Sequence, residues 1–267
     1  MLGLHLPSRK LLHVGVAACA LVAVAACSDN NVSGLPTVDL NLRRVAGFDP
    51  LKAALVAARS DANGGFNLDM WAAVVDRNGL VVAVVFTGAT STDQWPGSRV
   101  IAAQKANTAN AFSLPHLALS TANLYAATQP GGTLFGLQEA NPTNDDVAYG
   151  GNAADYGTRQ DYMVGKRIGG TNVFGGGLAL YNADGKLVGG LGVSGDASCA
   201  DHNIAWKMRY NLGLDHVPAG VADGGKDDNI IYDFTNGVSA GGFGHPECSA
   251  AATAIGRALP ETHPIGH

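Results

Sequence analysis

Two short segments near the C-terminus, SCADHNIAW and GFGHPEC, each carry one cysteine and one histidine at close spacing. Cys199 stands three residues before His202, and His245 stands three residues before Cys248. In an oxidising compartment two such thiols are expected to form a disulfide, which holds its Cα atoms roughly 5–6 Å apart. That bridge would bring His202 and His245 together, and two neighbouring imidazoles could coordinate a metal or a haem iron.

The N-terminus indicates which compartment the chain enters. Residues 9 and 10 are basic, and residues 11–26 carry no charge and are rich in alanine. This run is too short for a comfortable transmembrane helix and ends in small residues, as signal peptides do. We therefore predict a signal peptide over residues 1–26 and export from the cytoplasm.

The signal peptide ends in the sequence VAAC, which resembles a bacterial lipobox. The resemblance makes Cys27 the acylated first residue of the mature chain, so the membrane would be contacted only through this lipid. Ser28 at the next position is more typical of sorting to the outer membrane, facing either the periplasm or the cell surface. The alternative is an ordinary secretory signal cleaved after Ala23 or Ala26.

Composition excludes some classes of partner. The chain has 17 basic and 22 acidic residues, a net charge of −5, which becomes −7 when the two basic residues of the leader are removed. An acidic chain is a poor partner for nucleic acid or for an anionic lipid surface. Glycine is abundant, at 36 residues, which predicts a compact domain with many turns.

The hydrophobic pattern predicts two β-hairpins, each followed by a helix. The first hairpin pairs MWAAVVD with LVVAVVFTG around Asn78-Gly79, and the second pairs VFGGGLALYN with KLVGGLGVSG. Helices are predicted after Asp49-Pro50 and over RVIAAQKANTANAFS, SCADHNIAWKMRYNLG and SAAATAIGRALP, with a short strand at NIIYDF. This order predicts an α+β sandwich, an antiparallel sheet with helices packed on its faces.

The domain boundaries follow from changes in composition. Residues 27–47 are polar and predict a tether between the lipid and one domain over 48–267. Within that domain, residues 142–172 are rich in Asn, Asp, Gly and Tyr and predict a long insertion. Residues 214–267 predict a C-terminal extension that the disulfide attaches to the domain.

Four segments together resemble the GlcG/HbpS family of haem-binding domains, which is related to the PduO C-terminal domain. They are MWAAVVDRNGLVVAVVFTGA, SRVIAAQKANTANAF, GGGLALYNADGKLVGGLGVSG and CADHNIAWKMR. The resemblance implies a profilin-like α+β sandwich, a higher homo-oligomer and haem as the cofactor. The insertion and the cysteine-bearing extension depart from the short members of the family.

The resemblance places the ligand site near the turn GVSGD, which directly precedes the helix that carries His202. His202 is therefore the first candidate for the axial ligand of haem iron, followed by His245 and His116. Lys105 and Arg99 are candidates for pairing with the haem propionates. The structural alternatives are a core histidine bonded to backbone and a disulfide that only stabilises the fold.

The favoured function is haem capture, buffering or sensing outside the cytoplasm, and an enzyme is the less favoured alternative. In that alternative His202 would act as an acid or base with Asp201 or Asp196. A non-catalytic oligomeric module is a third hypothesis. A thiolate zinc site is disfavoured by the spacing, and Ser194 in GVSG lacks the partner order of a hydrolase.

Overall fold

The computed structural model describes residues 37–266, and its centre is a four-stranded antiparallel sheet in the order β2-β1-β4-β3. The sheet strands are β1 (Trp71–Asp76), β2 (Val81–Phe86), β3 (Gly177–Tyr181) and β4 (Leu187–Ser194). The long helices are α2 (Phe48–Ser60), α3 (Ser98–Ala111), α7 (Ser198–Asn211) and α8 (Ala250–Thr262). The predicted α+β sandwich is confirmed.

The remaining elements are short. The helices are α1 (Leu40–Ala46), α4 (Tyr125–Thr128), α5 (Leu137–Ala140) and α6 (Asp145–Ala148), with 3-10 turns at Thr121–Leu124 and Ala153–Asp155. Two two-residue strands, β5 (Phe234–Thr235) and β6 (Val238–Ser239), form a separate hairpin. In the described part of the chain, no helix is long and apolar enough to cross a bilayer.

Each face of the sheet has its own hydrophobic core, because successive side chains of a strand point to opposite faces. On β1, Ala72 and Val74 pack with α2 and α7. Trp71, Ala73 and Val75 pack on the other face against α3. Both faces of the sheet are therefore covered, which explains why β1 and β2 are apolar along almost their whole length.

Glycines on β4 allow α3 to lie directly on the sheet. A Cβ at Gly192 would overlap the backbone oxygen of Ala102, and one at Gly190 would overlap that of Ala106. The facing residues of α3 are alanines, so neither surface holds the two backbones apart. This contact sets the position of α3 and therefore of Lys105, which lies on that helix.

The structure differs from the sequence predictions in two places. The predicted tether over 27–47 is too long, because residues 40–46 form α1, in which Leu42 and Ala46 are buried. The predicted strand NIIYDF is wrong except at its last residue, since residues 229–233 form no strand and only Phe234 belongs to β5. The signal peptide, Cys27 and the first part of the tether lie outside the described residues.

The predicted disulfide is present. Cys199 and Cys248 are joined with a Cα–Cα distance of 5.9 Å across a sequence separation of 49. The bridge links the second residue of α7 to the residue two positions before α8. The extension is thereby held to the helix that follows the sheet.

We expect Gly192→Ala to destabilise the fold by about 3 kcal/mol or more, because a methyl group there forces the α3 and β4 backbones apart. Gly97→Ala is the matched control, since nothing lies within 4 Å of its Cβ position. Denaturant unfolding of both variants measures the difference. Equal stabilities would contradict the close approach of α3 and β4.

We expect the double variant Cys199→Ser/Cys248→Ser to lose about 4 kcal/mol of unfolding free energy, from the entropy of an unfolded loop of this length. Denaturant unfolding with and without a thiol reductant measures it. The reductant should destabilise the parent protein and leave the double variant unchanged. A loss below about 1 kcal/mol would show that the extension is held by packing alone.

Candidate functional site

A cavity of about 470 Å³ opens where β4 ends and where α3 and α7 begin. Its volume is within the range of small-molecule sites. Most of the residues that line it are apolar or small, and three of them are aromatic. They are Phe66, Leu68, Trp95, Pro96, Gly97, Ser98, Ile101, Lys105, Phe174, Ser194, Gly195, Asp196, Ala197, Ser198 and Asp201.

A buried ion pair forms the polar part of the cavity wall. Lys105 Nζ lies 2.7 Å from Asp201 Oδ2 and donates a second bond, of 3.0 Å, to the Val193 carbonyl. Asp201 Oδ1 also accepts from the Asp196 N–H at 2.9 Å. Burial raises the pKa of Asp201 to about 6, although the Lys105 charge acts in the opposite direction. An acid with a pKa near neutrality therefore borders the cavity.

Asp196 fixes the aromatic rim on one side. Its carboxylate accepts the Phe66 N–H at 2.8 Å and the Leu68 N–H at 3.3 Å, which holds the segment before β1 against the start of α7. Phe66 and Trp95 remain 79% and 64% exposed at the mouth of the cavity. Large exposed aromatic side chains around a concave apolar surface are typical of a site that binds a ligand.

His202 does not line this cavity. Its side chain is fully buried, and its Nε2 lies 3.1 Å from both Asn229 Oδ1 and the Ile230 N–H. Burial lowers the pKa of His202 to about 4, so the ring is neutral at physiological pH. The helix places this histidine one turn after Ser198, where its ring contacts the C-terminal extension at Asn229 and Ile230.

His245 lies closer to the cavity wall, behind Ser198. Its Nε2 is 3.3 Å from Ser198 Oγ, and its Nδ1 is 2.8 Å from the Pro246 carbonyl oxygen. The ring packs on Tyr125 with a centroid distance of 4.9 Å. Burial lowers the pKa of His245 to about 4. His202 and His245 thus share the α7 neighbourhood, whereas His116 is exposed in the loop after α3.

One group of metal-ligating side chains, Cys199, His245 and Cys248, is found among residues 37–266, with donor atoms within 4.8 Å of one another. Both sulfur atoms belong to the disulfide. A metal prefers thiolate sulfur, so the oxidised form does not provide a thiolate zinc site.

The two predicted partners of propionates have different surroundings. Lys105 lines the cavity, as described above. Arg99 is buried and bonds to the carboxylate of Asp161 at 2.5 and 2.8 Å and to the Ala148 carbonyl at 2.7 Å. Its guanidinium also lies over the Tyr156 ring at 3.7 Å. Arg99 therefore ties the insertion to α3 and does not line the cavity.

The sequence did not identify those cavity residues whose side chains are not typical metal ligands or catalytic groups. Trp95 and Pro96 stand in a polar loop, and an aromatic residue in such a loop is a usable signal for a binding rim. The sequence around Ser198 does not mark it as a site residue. What distinguishes Ser198 is its contact with His245, which is distant in the sequence.

The antiparallel sheet lies between helices and has an apolar cavity at the end of β4. These features define an α+β sandwich with a candidate ligand site. A family model described as haem degrading protein HbpS-like matches residues 49–208. Because this match covers more than half of the chain, the protein belongs to the HbpS-like family. This confirms the resemblance found in the sequence.

Three solved structures are similar to the chain. A PduOC:heme complex is 23% identical, over 66% of this chain and 95% of that chain, with a TM-score of 0.43. The Klebsiella pneumoniae protein ORFY, of the DUF336 family, is 22% identical over 60% and 86%, with a TM-score of 0.40. HbpS is 20% identical over 67% and 92%, with a TM-score of 0.39. A comparison with curated proteins gave no match.

We expect His202 to make the protein sensitive to acid. Its pKa falls from 6.5 in the unfolded chain to about 4 in the fold, so the unfolded state takes up the proton first. The stability that the neutral ring provides is complete above pH 6.5 and is lost as the pH falls towards 4, by roughly 3 kcal/mol at pH 4. Unfolding free energies of the parent and His202→Gln between pH 7 and 4 test this.

The variant should be less stable at pH 7 but should have a flatter pH dependence than the parent. His245 titrates in both proteins, so the difference between the curves isolates position 202. An NMR titration of the His202 ring checks the pKa without a substitution. Parallel stability curves and a ring pKa near 6.5 would contradict the assignment.

Proposed function

We propose that this protein binds haem in the cavity formed by the ends of β4, α3 and α7. The observation that carries the proposal is the apolar, aromatic-rimmed cavity of about 470 Å³. Membership of the HbpS-like family, whose description names haem, supports the same ligand. Phe66, Trp95 and Phe174 supply flat apolar contacts, which suit the face of a porphyrin.

The residues fit the porphyrin better than they fit the iron. Among the described residues that line the cavity, there is no histidine, cysteine, methionine or tyrosine to act as an axial ligand. His202 as the ligand remains a prediction. Its Nε2 would have to give up its bonds to Asn229 and Ile230, whereas its buried Nδ1 has no hydrogen-bond partner among the described residues. His245 needs a smaller change, because Ser198 alone stands between its Nε2 and the cavity.

The haem propionates are best placed at the open mouth of the cavity. Lys105 already pairs with Asp201, and Arg99 with Asp161, each within 3 Å. A propionate near Lys105 would compete with a carboxylate that is already buried there, at a cost in electrostatic energy. The apolar and aromatic residues of the cavity would hold the apolar part of haem, and the bound group would supply redox chemistry there.

Export and lipid anchoring through Cys27 complete the proposal. The Cys199–Cys248 disulfide supports an oxidising compartment, because such bridges are rare in the cytosol. An outer-membrane lipoprotein with a haem cavity would capture, buffer or sense haem there. We propose a homo-oligomer, as the family resemblance implies.

The enzyme alternative keeps the cavity but changes the residues that would act. Asp201 borders the cavity and has a pKa of about 6, which suits a proton donor or acceptor. His202 does not line the cavity, and its Nε2 bonds to Asn229 and Ile230, not to Asp201.

We expect a saturable Soret shift when the purified protein is titrated with haem. The double variant Phe66→Ala/Trp95→Ala should weaken the affinity about 10-fold, because it removes two aromatic contacts. Phe135→Ala is the control, since Phe135 is similarly exposed, at 67%, but lies outside the cavity. The proposal fails if no saturable shift appears, or if the control loses as much affinity as the double variant.

The axial ligand is tested with His202→Ala, His245→Ala and His116→Ala in the same titration. Loss of the histidine that binds iron changes the position of the Soret band, whereas loss of a structural histidine lowers only the folded fraction. Circular dichroism of each variant separates the two effects. From the geometry we expect the spectral change with His245→Ala and none with His116→Ala.

A further inference from the structure

Ser198 and His245 form a hydrogen-bonded pair at the wall of the cavity. Ser198 is the first residue of α7 and lines the cavity, and its Oγ lies 3.3 Å from His245 Nε2. The His245 Nδ1 lies 2.8 Å from the Pro246 carbonyl oxygen, which can only accept a hydrogen bond. Nδ1 therefore carries the ring proton, and Nε2 presents its lone pair to the serine hydroxyl.

The surroundings hold this imidazole in place. His245 is 3% exposed, and its ring packs on Tyr125. A neutral ring with a fixed tautomer, bonded through Nε2 to a serine, is the arrangement that activates a serine nucleophile. The Pro246 carbonyl orients the ring as the aspartate of a serine–histidine–aspartate triad does, although it carries no negative charge.

We propose that Ser198 and His245 are a nucleophile and general base that hydrolyse carboxylic esters with a small apolar acyl group. The acyl group would occupy the cavity, whose walls near Ser198 include Ile101 and Phe174. This activity is distinct from haem binding and uses the protein without haem.

The reaction balances with water as the only co-reactant. Ser198 Oγ attacks the ester carbonyl while its proton moves to His245 Nε2. The bond to the alcohol oxygen then breaks, and the alcohol leaves with that proton. Water attacks the acyl-serine, gives a proton to His245 Nε2, and the bond from the acyl carbon to Ser198 Oγ breaks. The serine recovers its proton from the imidazole, and the carboxylic acid leaves.

The first turn of α7 can stabilise the negative oxygen of the intermediate. The first backbone N–H groups of a helix have no partner inside the helix and form the positive end of its dipole. Ser198 is the first residue of this 14-residue helix, and the Cys199 N–H already donates to Cys248 Sγ at 3.2 Å. The attacked carbonyl would therefore lie beside the N–H groups of Ser198 and Ala200. Such donors are typically worth a factor of 10²–10³ in rate.

The disulfide positions the pair. Cys199 follows Ser198 directly, and Cys248 lies three residues after His245, so the bridge fixes the two backbones beside each other. The sulfur of Cys248 lies 3.6 Å from Ser198 Oγ. No short sequence motif joins residues 198 and 245, and the bridge brings their two segments together in space.

The test uses the full chain free of haem, with p-nitrophenyl butyrate as substrate and a fluorophosphonate as an irreversible probe. We expect ester turnover and one phosphonyl adduct, which peptide mapping places on Ser198. Ser198→Ala should abolish the adduct and lower kcat/KM about 100-fold, and His245→Gln should slow both reactions by about the same factor. Ser60→Ala, which removes an exposed serine of α2 outside the cavity, should leave both unchanged.

Each other outcome would overturn the proposal. An adduct on Ser194, an adduct that persists in Ser198→Ala, or no adduct and no turnover in the folded parent would each do so. Thermal unfolding confirms that the variants are folded, and the small change Ser198→Ala keeps the test valid if His245→Gln is unstable. The haem titration of the parent is scored separately, so failure of the esterase leaves the haem proposal intact.

Discussion

The contact between α3 and β4 determines where the cavity of this protein and its lysine lie. Because Gly190 and Gly192 have no side chains, the alanine face of α3 rests on the backbone of β4. This places Lys105 within 3.0 Å of the Val193 carbonyl, near the last residues of the strand. The chain then turns into α7, so the N-terminal ends of two helices meet over one strand end and leave the cavity between them.

Three buried ion pairs brace this framework, and two of them connect it to parts of the chain that have little regular structure. Arg99 holds the insertion through Asp161, and Lys105 on the same helix binds Asp201 at the cavity. Arg209 on α7 holds the C-terminal extension through two bonds of 2.8 Å to Asp228. Removing one partner of such a pair leaves an uncompensated buried charge, so these pairs fix which segments cover the sandwich.

The sequence was sufficient for the sheet, the long helices and the disulfide, because hairpin turns, hydrophobic alternation and paired cysteines are local signals. It was insufficient for the direction of the site histidines. Residues 199–209 of α7 are buried on all sides, so periodicity cannot tell which face meets the cavity and which meets the extension. Its position after GVSGD makes His202 the first candidate for the iron ligand. In the fold, its Nε2 is hydrogen-bonded to Asn229 and Ile230, about 30 residues later in the chain.

The disulfide also allows the protein to remain one molecule after its backbone is cut between the two cysteines. Lys226 lies in an exposed turn between the two cysteines, with 73% of its side chain accessible, as a protease would require. A single cut there leaves both fragments joined through Cys199 and Cys248, with the buried pair of Arg209 and Asp228 spanning the break. Such a chain can be nicked and still remain one molecule.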